Sequence, residues 1–185
     1  MDFLEESFQR MKIAEKLIAS KYGMSDLRSG GHVLRDEREW RVNEKQIEYS
    51  WIVLISQYFH GQAGVFTVKF NSNPFRSHQN PGELLRGIFI YNGKNINHIH
   101  GRFFNETEDP IISGLGYKLF EPDNSLTLDG VVYHFMARAG NKESFMQLTN
   151  PRSESWRVWE EEVWRIGKEL APGSGVKEML VFFEK

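Results

Sequence analysis

The chain has 185 residues, 40% of them hydrophobic and 14% aromatic, with a net charge of −2 and no cysteine. That is enough apolar material for one domain with a real core, and too little basic charge for phosphate-driven binding of nucleic acid. Disulfides, thiolate nucleophiles and Cys-ligated zinc are excluded, and no apolar run reaches the roughly 18 residues of a membrane span. The absence of cysteine fits a reducing cytoplasm, the acidic, amphipathic N-terminus does not read as a secretory signal, and neither a cofactor nor a nucleic-acid partner is expected.

Asp2 to Lys21 reads as a helix, with capping-box spacing between Asp2 and Glu5 and a stripe of Leu4, Phe8, Met11, Ala14, Leu17 and Ile18. Gly23 is a natural stop. After a loop at Asp26 to Gly31, Trp40 and Val42 followed by Ile47 and Tyr49 suggest a half-exposed hairpin around Asn43-Glu44-Lys45. Trp51 to Phe59 is the most apolar stretch and reads as a central strand. His60-Gly61-Gln62 turns the chain into Val65 to Phe70, where Phe66, Val68 and Phe70 share a face. Asn71 to Glu83 is a long Asn/Pro/Gly loop in which His78 reads as solvated.

Leu84 to Phe104 holds two apolar strands around Asn92-Gly93. Asn-Gly favours a type I′ turn, since both central residues take positive φ. That turn would set Tyr91 opposite Lys94, Phe89 opposite Ile96, Gly87 opposite His98 and Leu85 opposite His100. His98, His100 and Arg102 would then share a face with Phe89, Tyr91, Ile96 and Phe104, and Gly87 would leave a gap opposite His98. An acidic loop follows at Asn105 to Asp109, then a short strand at Leu115 to Glu121. Ser125 to Arg138 reads as a hairpin around Asp129-Gly130. It would place Leu126, Leu128, Val131, Tyr133 and Phe135 on a core face, with His134 on the other beside Val132, Met136 and Arg138. Phe145 to Leu148 is one more strand.

Ser153 can cap a helix in which Trp156, Trp159, Val163, Ile166 and Leu170 recur at helical spacing as a core stripe, and Glu160-Glu161-Glu162 form a solvated edge. Pro172-Gly173-Ser174-Gly175 would end it, and Met179 to Phe183 reads as a closing strand.

Many short strands with helices near the ends predict a mainly β, antiparallel architecture. Closing such a sheet removes its edges, so a closed or nearly closed β-barrel is expected as a single domain over 1–185. Residues 1–23 would be a helix packed on the barrel, 32–148 its strands, 153–170 a late helix and 176–184 the closing strand. This order of elements resembles the lipocalin-like layout, without the early Gly-x-Trp of that family, since Arg38-Glu39 precede Trp40. The alternative is a cone-shaped α+β fold resembling NTF2, with the N-terminal helix on a bent sheet.

The function expected on this reading is carriage, isomerisation or cyclisation of a small apolar or amphipathic molecule. His98 and His100 would serve as acid/base groups, with Phe89, Tyr91, Ile96, Arg102, Phe104 and His134 lining the site. Gly93, His98, His100 and Glu106 also resemble the first cupin motif, which implies a metal held by His98, His100 and Glu106. A second class is a non-catalytic interaction protein of inhibitor or immunity type, with a protein partner or a homodimer. No nucleophile elbow, phosphate loop or dinucleotide fingerprint occurs in the chain.

Overall fold

The computed structural model describes residues 3–28, 46–57, 61–71, 83–93, 95–105, 109–115 and 130–184. Helix α1 (Phe3–Lys21) is followed by β1 (Gln46–Gln57), β2 (Gly61–Asn71), β3 (Glu83–Asn92) and β4 (Asn95–Phe104). Then come the short helix α2 (Pro110–Leu115), β5 (Val131–Ala139), β6 (Lys142–Thr149), α3 (Glu154–Ser174) and α4 (Lys177–Phe183). The strands form one antiparallel, six-stranded sheet in the order β4-β3-β2-β1-β5-β6. The most apolar strand is interior, as its composition predicts, with β2 and β5 as its neighbours.

The described sheet is open, with β4 and β6 at its two ends, and so differs from the closed barrel expected from the sequence. The two-sided apolar strands are satisfied by helices instead of by curling. On one face Met11, Ala14 and Ile18 of α1 pack with Ile52, Leu54, Phe66, Val68, Leu85 and Phe89. On the other, Trp156, Trp159, Val163, Ile166 and Leu170 of α3 and Met179, Phe182 and Phe183 of α4 pack with Trp51, Val53, Val65, Ile88 and Phe135. An N-terminal helix on a sheet is the feature the NTF2-like alternative contains; the two late helices on the opposite face lie outside it.

Among the described strands, β4 forms one edge of the sheet. The Lys21 ammonium donates to the Ile99 carbonyl, occupying an acceptor that a foreign strand would need. At the other end, Glu143 of β6 accepts from Lys12 at 2.9 Å and from Arg138 at 3.0 Å.

Several expectations are corrected here. Residues 177–183 are helical, not a closing strand: Met179, Phe182 and Phe183 recur at i, i+3 and i+4 and all three are buried. The Phe183 ring lies on Gly167 of α3, where a Cβ would stand 2.2 Å from it. Helix α3 runs past Pro172 to Ser174 and stops at Gly175 in the left-handed region, φ 67°. Ser153 holds the N-cap position without a side-chain capping bond. Leu17 is 40% exposed, while Glu15, outside the predicted apolar stripe, is buried against Arg138. Glu160 is half-buried and accepts from the Tyr133 hydroxyl instead of lying on a solvated edge. A bulge between Ile47 and Tyr49 sends these two side chains to opposite cores.

The face assigned to Val131, Tyr133 and Phe135 is the α3 face, and His134, Met136 and Arg138 point the other way, as alternation requires. The hairpin around Asn43-Glu44-Lys45, the loop holding His78, Leu126 and Leu128, and all of the strand expected at 115–121 except Leu115, which ends α2, lie outside the described residues.

Candidate functional site

The β3–β4 hairpin is present, in a different register from the one its Asn-Gly step predicts. Asn92 pairs with Asn95 and Tyr91 with Ile96, so the closing pair is one residue further along, and Gly93 takes φ 66°. Asn97 is then an extra residue: His98 pairs with Ile90, Ile99 with Phe89, His100 with Ile88, and Gly101 with Gly87. Because side chains alternate, this shift moves His98 and His100 to the face of Ile88 and Ile90. Phe89, Tyr91 and Ile96, predicted to stand beside the imidazoles, lie on the α1 face.

Gly87 leaves no gap either. The Phe66 ring fills the space above it, 2.1 Å from where a Cβ would be. Phe89 covers Gly64 in the same way, and the Tyr91 hydroxyl donates to the Arg10 carbonyl. His134 is fully buried on the α1 face, its ring stacked on Phe145 at 6.1 Å, with a pKa lowered by burial. It therefore stands across the sheet from His98 and His100.

What β4 does bring together on the α3/α4 face is His98, His100, Arg102 and Phe104. The Arg102 guanidinium lies 4.8 Å from the Phe104 ring centre, and that of Arg86 lies 5.4 Å from it. His100 is half-buried at the C-terminal end of α3, where its Nε2 is 3.2 Å from the position of a Cβ on Gly173. Burial, then the Lys21 and Arg102 charges, lower its pKa. His100 is thus kept neutral near pH 7 and can accept as well as donate a hydrogen bond.

His98 opens onto a groove of about 570 Å³ between the hairpin and α4. Ile90, Val181 and Phe182 supply its apolar surface, and Asn92, Asn97, His98, Lys177 and Glu178 its polar groups. Val181 is 52% exposed on a helix whose Met179, Phe182 and Phe183 are buried. Phe182 stacks on Trp164 at 5.8 Å and 12°, which gives the groove an aromatic back wall. The α4 half of this site was missed in the sequence because MLVFF reads equally as a strand; the i, i+3, i+4 spacing of Met179, Phe182 and Phe183 was the signal that separates the two. No group of three or more His, Asp or Glu side chains with metal-binding geometry occurs among the described residues. Glu106, the third ligand implied by the cupin resemblance, is outside them.

A buried polar belt on the α3/α4 face was also missed. Asp109 is 5% exposed and accepts from Trp51 Nε1 at 2.7 Å, the Ile111 amide at 3.1 Å and the Tyr49 hydroxyl at 3.4 Å. Burial raises its pKa against these donors and the Arg86 charge. Strand register sets Thr67, Arg86 and Arg102 in one row on this face beside Trp51. Asp109→Ala removes the acceptor of the Trp51 indole and should destabilise the protein by about 1–3 kcal/mol, measured by chemical denaturation. A change within about 0.5 kcal/mol would show that these bonds are exchanged for water without loss.

No family model, curated protein or solved structure gives a significant match to this chain. No described helix is long and apolar enough to cross a membrane.

Proposed function

We propose that this protein is a binding protein that holds a small amphipathic molecule in the groove between the β3–β4 hairpin and α4. One observation carries the reading: a concavity of about 570 Å³ combines an apolar patch with a few polar side chains from two different elements. Ligand sites fall in that size range and have that mixture. Apolar atoms of the ligand would lie on Ile90, Val181 and Phe182. His98, Lys177 and the Asn92 and Asn97 carboxamides offer donors to a polar end, and the Lys177 ammonium favours an anionic one. The lipocalin-like expectation of an enclosed calyx is replaced by a surface groove, because both faces of the described sheet are filled by helices.

The test is a titration with anilinonaphthalene sulfonate followed by competition with decanoate, read by dye fluorescence and by the part of the tryptophan emission change that Trp164→Phe removes. Val181→Asp puts a charge on the apolar surface without touching the core, and should weaken binding at least about tenfold. His98→Ala should weaken it less, and Lys177→Ala should lower the anion preference. Binding untouched by Val181→Asp would reject the groove.

The interaction-protein reading has its own observation. Ile13 and Leu17 are 44% and 40% exposed and recur with Lys21 on one side of α1, the side that reaches β4. Phe103 of β4, packed edge-on to Tyr22, is 48% exposed. Leu17→Asp with Phe103→Ser should abolish a protein contact while leaving the groove's affinity unchanged.

A further inference from the structure

We propose a second binding site, independent of the groove: the pocket at the β5–β6 turn takes the phosphoryl group of a small phosphate ester or free phosphate. The pocket has a volume of about 240 Å³ and is lined by Arg28, Arg138, Gly140, Asn141, Lys142 and Glu143. Three cations thus meet one carboxylate, in a chain whose net charge is negative.

The fold builds this convergence from three separate pieces of chain. Ser50 of β1 pairs with Arg138 of β5 in register, and its hydroxyl donates to the Leu27 carbonyl at 2.6 Å. Leu27 is buried, so that bond fixes the chain that brings Arg28 to the pocket it shares with Arg138. The Arg28 amide donates to Asp26 Oδ1 at 2.8 Å, which sets the turn just before it. Ala139 pairs with Lys142, and Gly140 between them has φ 59° with nothing within 4 Å of where a Cβ would be. The turn is therefore open on the pocket side, and the lysine is delivered next to the guanidinium.

The carboxylate in the pocket is already satisfied. Glu143 accepts from Lys12 at 2.9 Å and from Arg138 at 3.0 Å. Arg138 is 4% exposed and also donates through Nη1 to Glu15, while its Nε has no protein partner. Among the described residues Arg28 and Lys142 have no ion-pair partner. A buried guanidinium with unspent donor capacity, faced by two further cations, is a site that lacks an anion. The class follows from the donors. One fork suffices for the two oxygens of a carboxylate; two guanidinium groups and an ammonium converging from three chain segments match the three charged oxygens of a phosphoryl group.

The test uses the full chain and inorganic phosphate, with chloride making up a constant ionic strength. Amide shifts of Gly140 and Asn141 locate binding, and calorimetry gives its strength. The double variant Arg28→Ala, Lys142→Ala leaves the Glu15–Arg138 pair in place, and should keep the fold while weakening phosphate at least about tenfold. Acetate at the same concentration should not move those amides. Phenyl phosphate binding more tightly than phosphate identifies an ester as the ligand, and the reverse order identifies free phosphate; either supports the site. Phosphate acting no differently from chloride, or binding equally to the double variant, overturns it.

Discussion

Gly87→Ala is expected to destabilise the protein by about 3 kcal/mol, the upper end of the range for overpacking a filled core, and to lower its melting temperature by roughly 6–12 °C. The added methyl would stand 2.1 Å from Phe66 Cζ and 2.7 Å from the His100 carbonyl oxygen. The ring could turn aside, but the carbonyl belongs to the backbone of β4 and cannot move without opening the ladder. Gly64 and Phe89 repeat the arrangement two residues along each strand, with Phe89 Cζ 2.0 Å from a Cβ on Gly64. The two strands thus cover each other's glycines with phenyl rings, a cross-strand pairing that pins their register. Phe66→Leu combined with Gly87→Ala should cost less than the two single losses added together, because the same space is contested. Gly87→Phe, which would be a harmless filling of a gap in the predicted register, should here prevent folding. A Gly87→Ala variant that melts with the native protein would show that Phe66 does not hold this position.

The same hairpin shows where the sequence could be read and where it could not. Its existence, its two strands and the shared face of His98, His100, Arg102 and Phe104 follow from the Asn-Gly step and from alternation within one strand. Which residues face them across the ladder does not follow, because a closing pair displaced to Asn92–Asn95 and a bulge at Asn97 change the pairing. One inserted residue exchanges the faces of an entire strand segment, and it carried the candidate site from the Phe89 side of the sheet to the α4 side. The core stripe of α3, and Met11, Ala14 and Ile18 of the stripe expected on α1, were legible because helical periodicity repeats over many residues. Helix α4 was not, since the five-residue apolar run Met179–Phe183 satisfies either period until the helix it packs on is known. Closure failed for a related reason. Alternation records how many faces of a strand are covered, and helices cover a face as well as a second part of the sheet does. Asp109 and Glu15 lie outside every periodic pattern, and only packing shows that these carboxylates are buried.

Arg138→Met is expected to cost roughly 3–5 kcal/mol at pH 7, the penalty for leaving one member of a buried ion pair behind. Arg138 and Glu15 have side chains 4% and 9% exposed, and they join α1 to β5 across the core of that face. Burial holds the Glu15 pKa above the usual Glu value, and the Arg138 charge is the largest influence working the other way. For a carboxyl whose folded pKa is raised, the stability associated with that group is fully present below its unfolded value and declines as pH rises through the folded value. Removing Arg138 raises the folded value further and deepens the decline, so the cost should be greatest at neutral pH and shrink toward pH 5, as Glu15 takes up its proton. Glu143 acts in the same sense: Lys12 and Arg138 hold its pKa down, which adds stability at neutral pH that the variant partly loses. Adding Glu15→Gln to Arg138→Met should restore part of the stability at pH 7, because a buried carboxamide costs less to desolvate than an unpaired carboxylate. Urea denaturation of both variants at pH 7 and pH 5 checks all three statements. A cost for Arg138→Met that is equal at the two pH values, or no recovery in the double variant, would mean that the arginine serves through its packed stem and not through its charge.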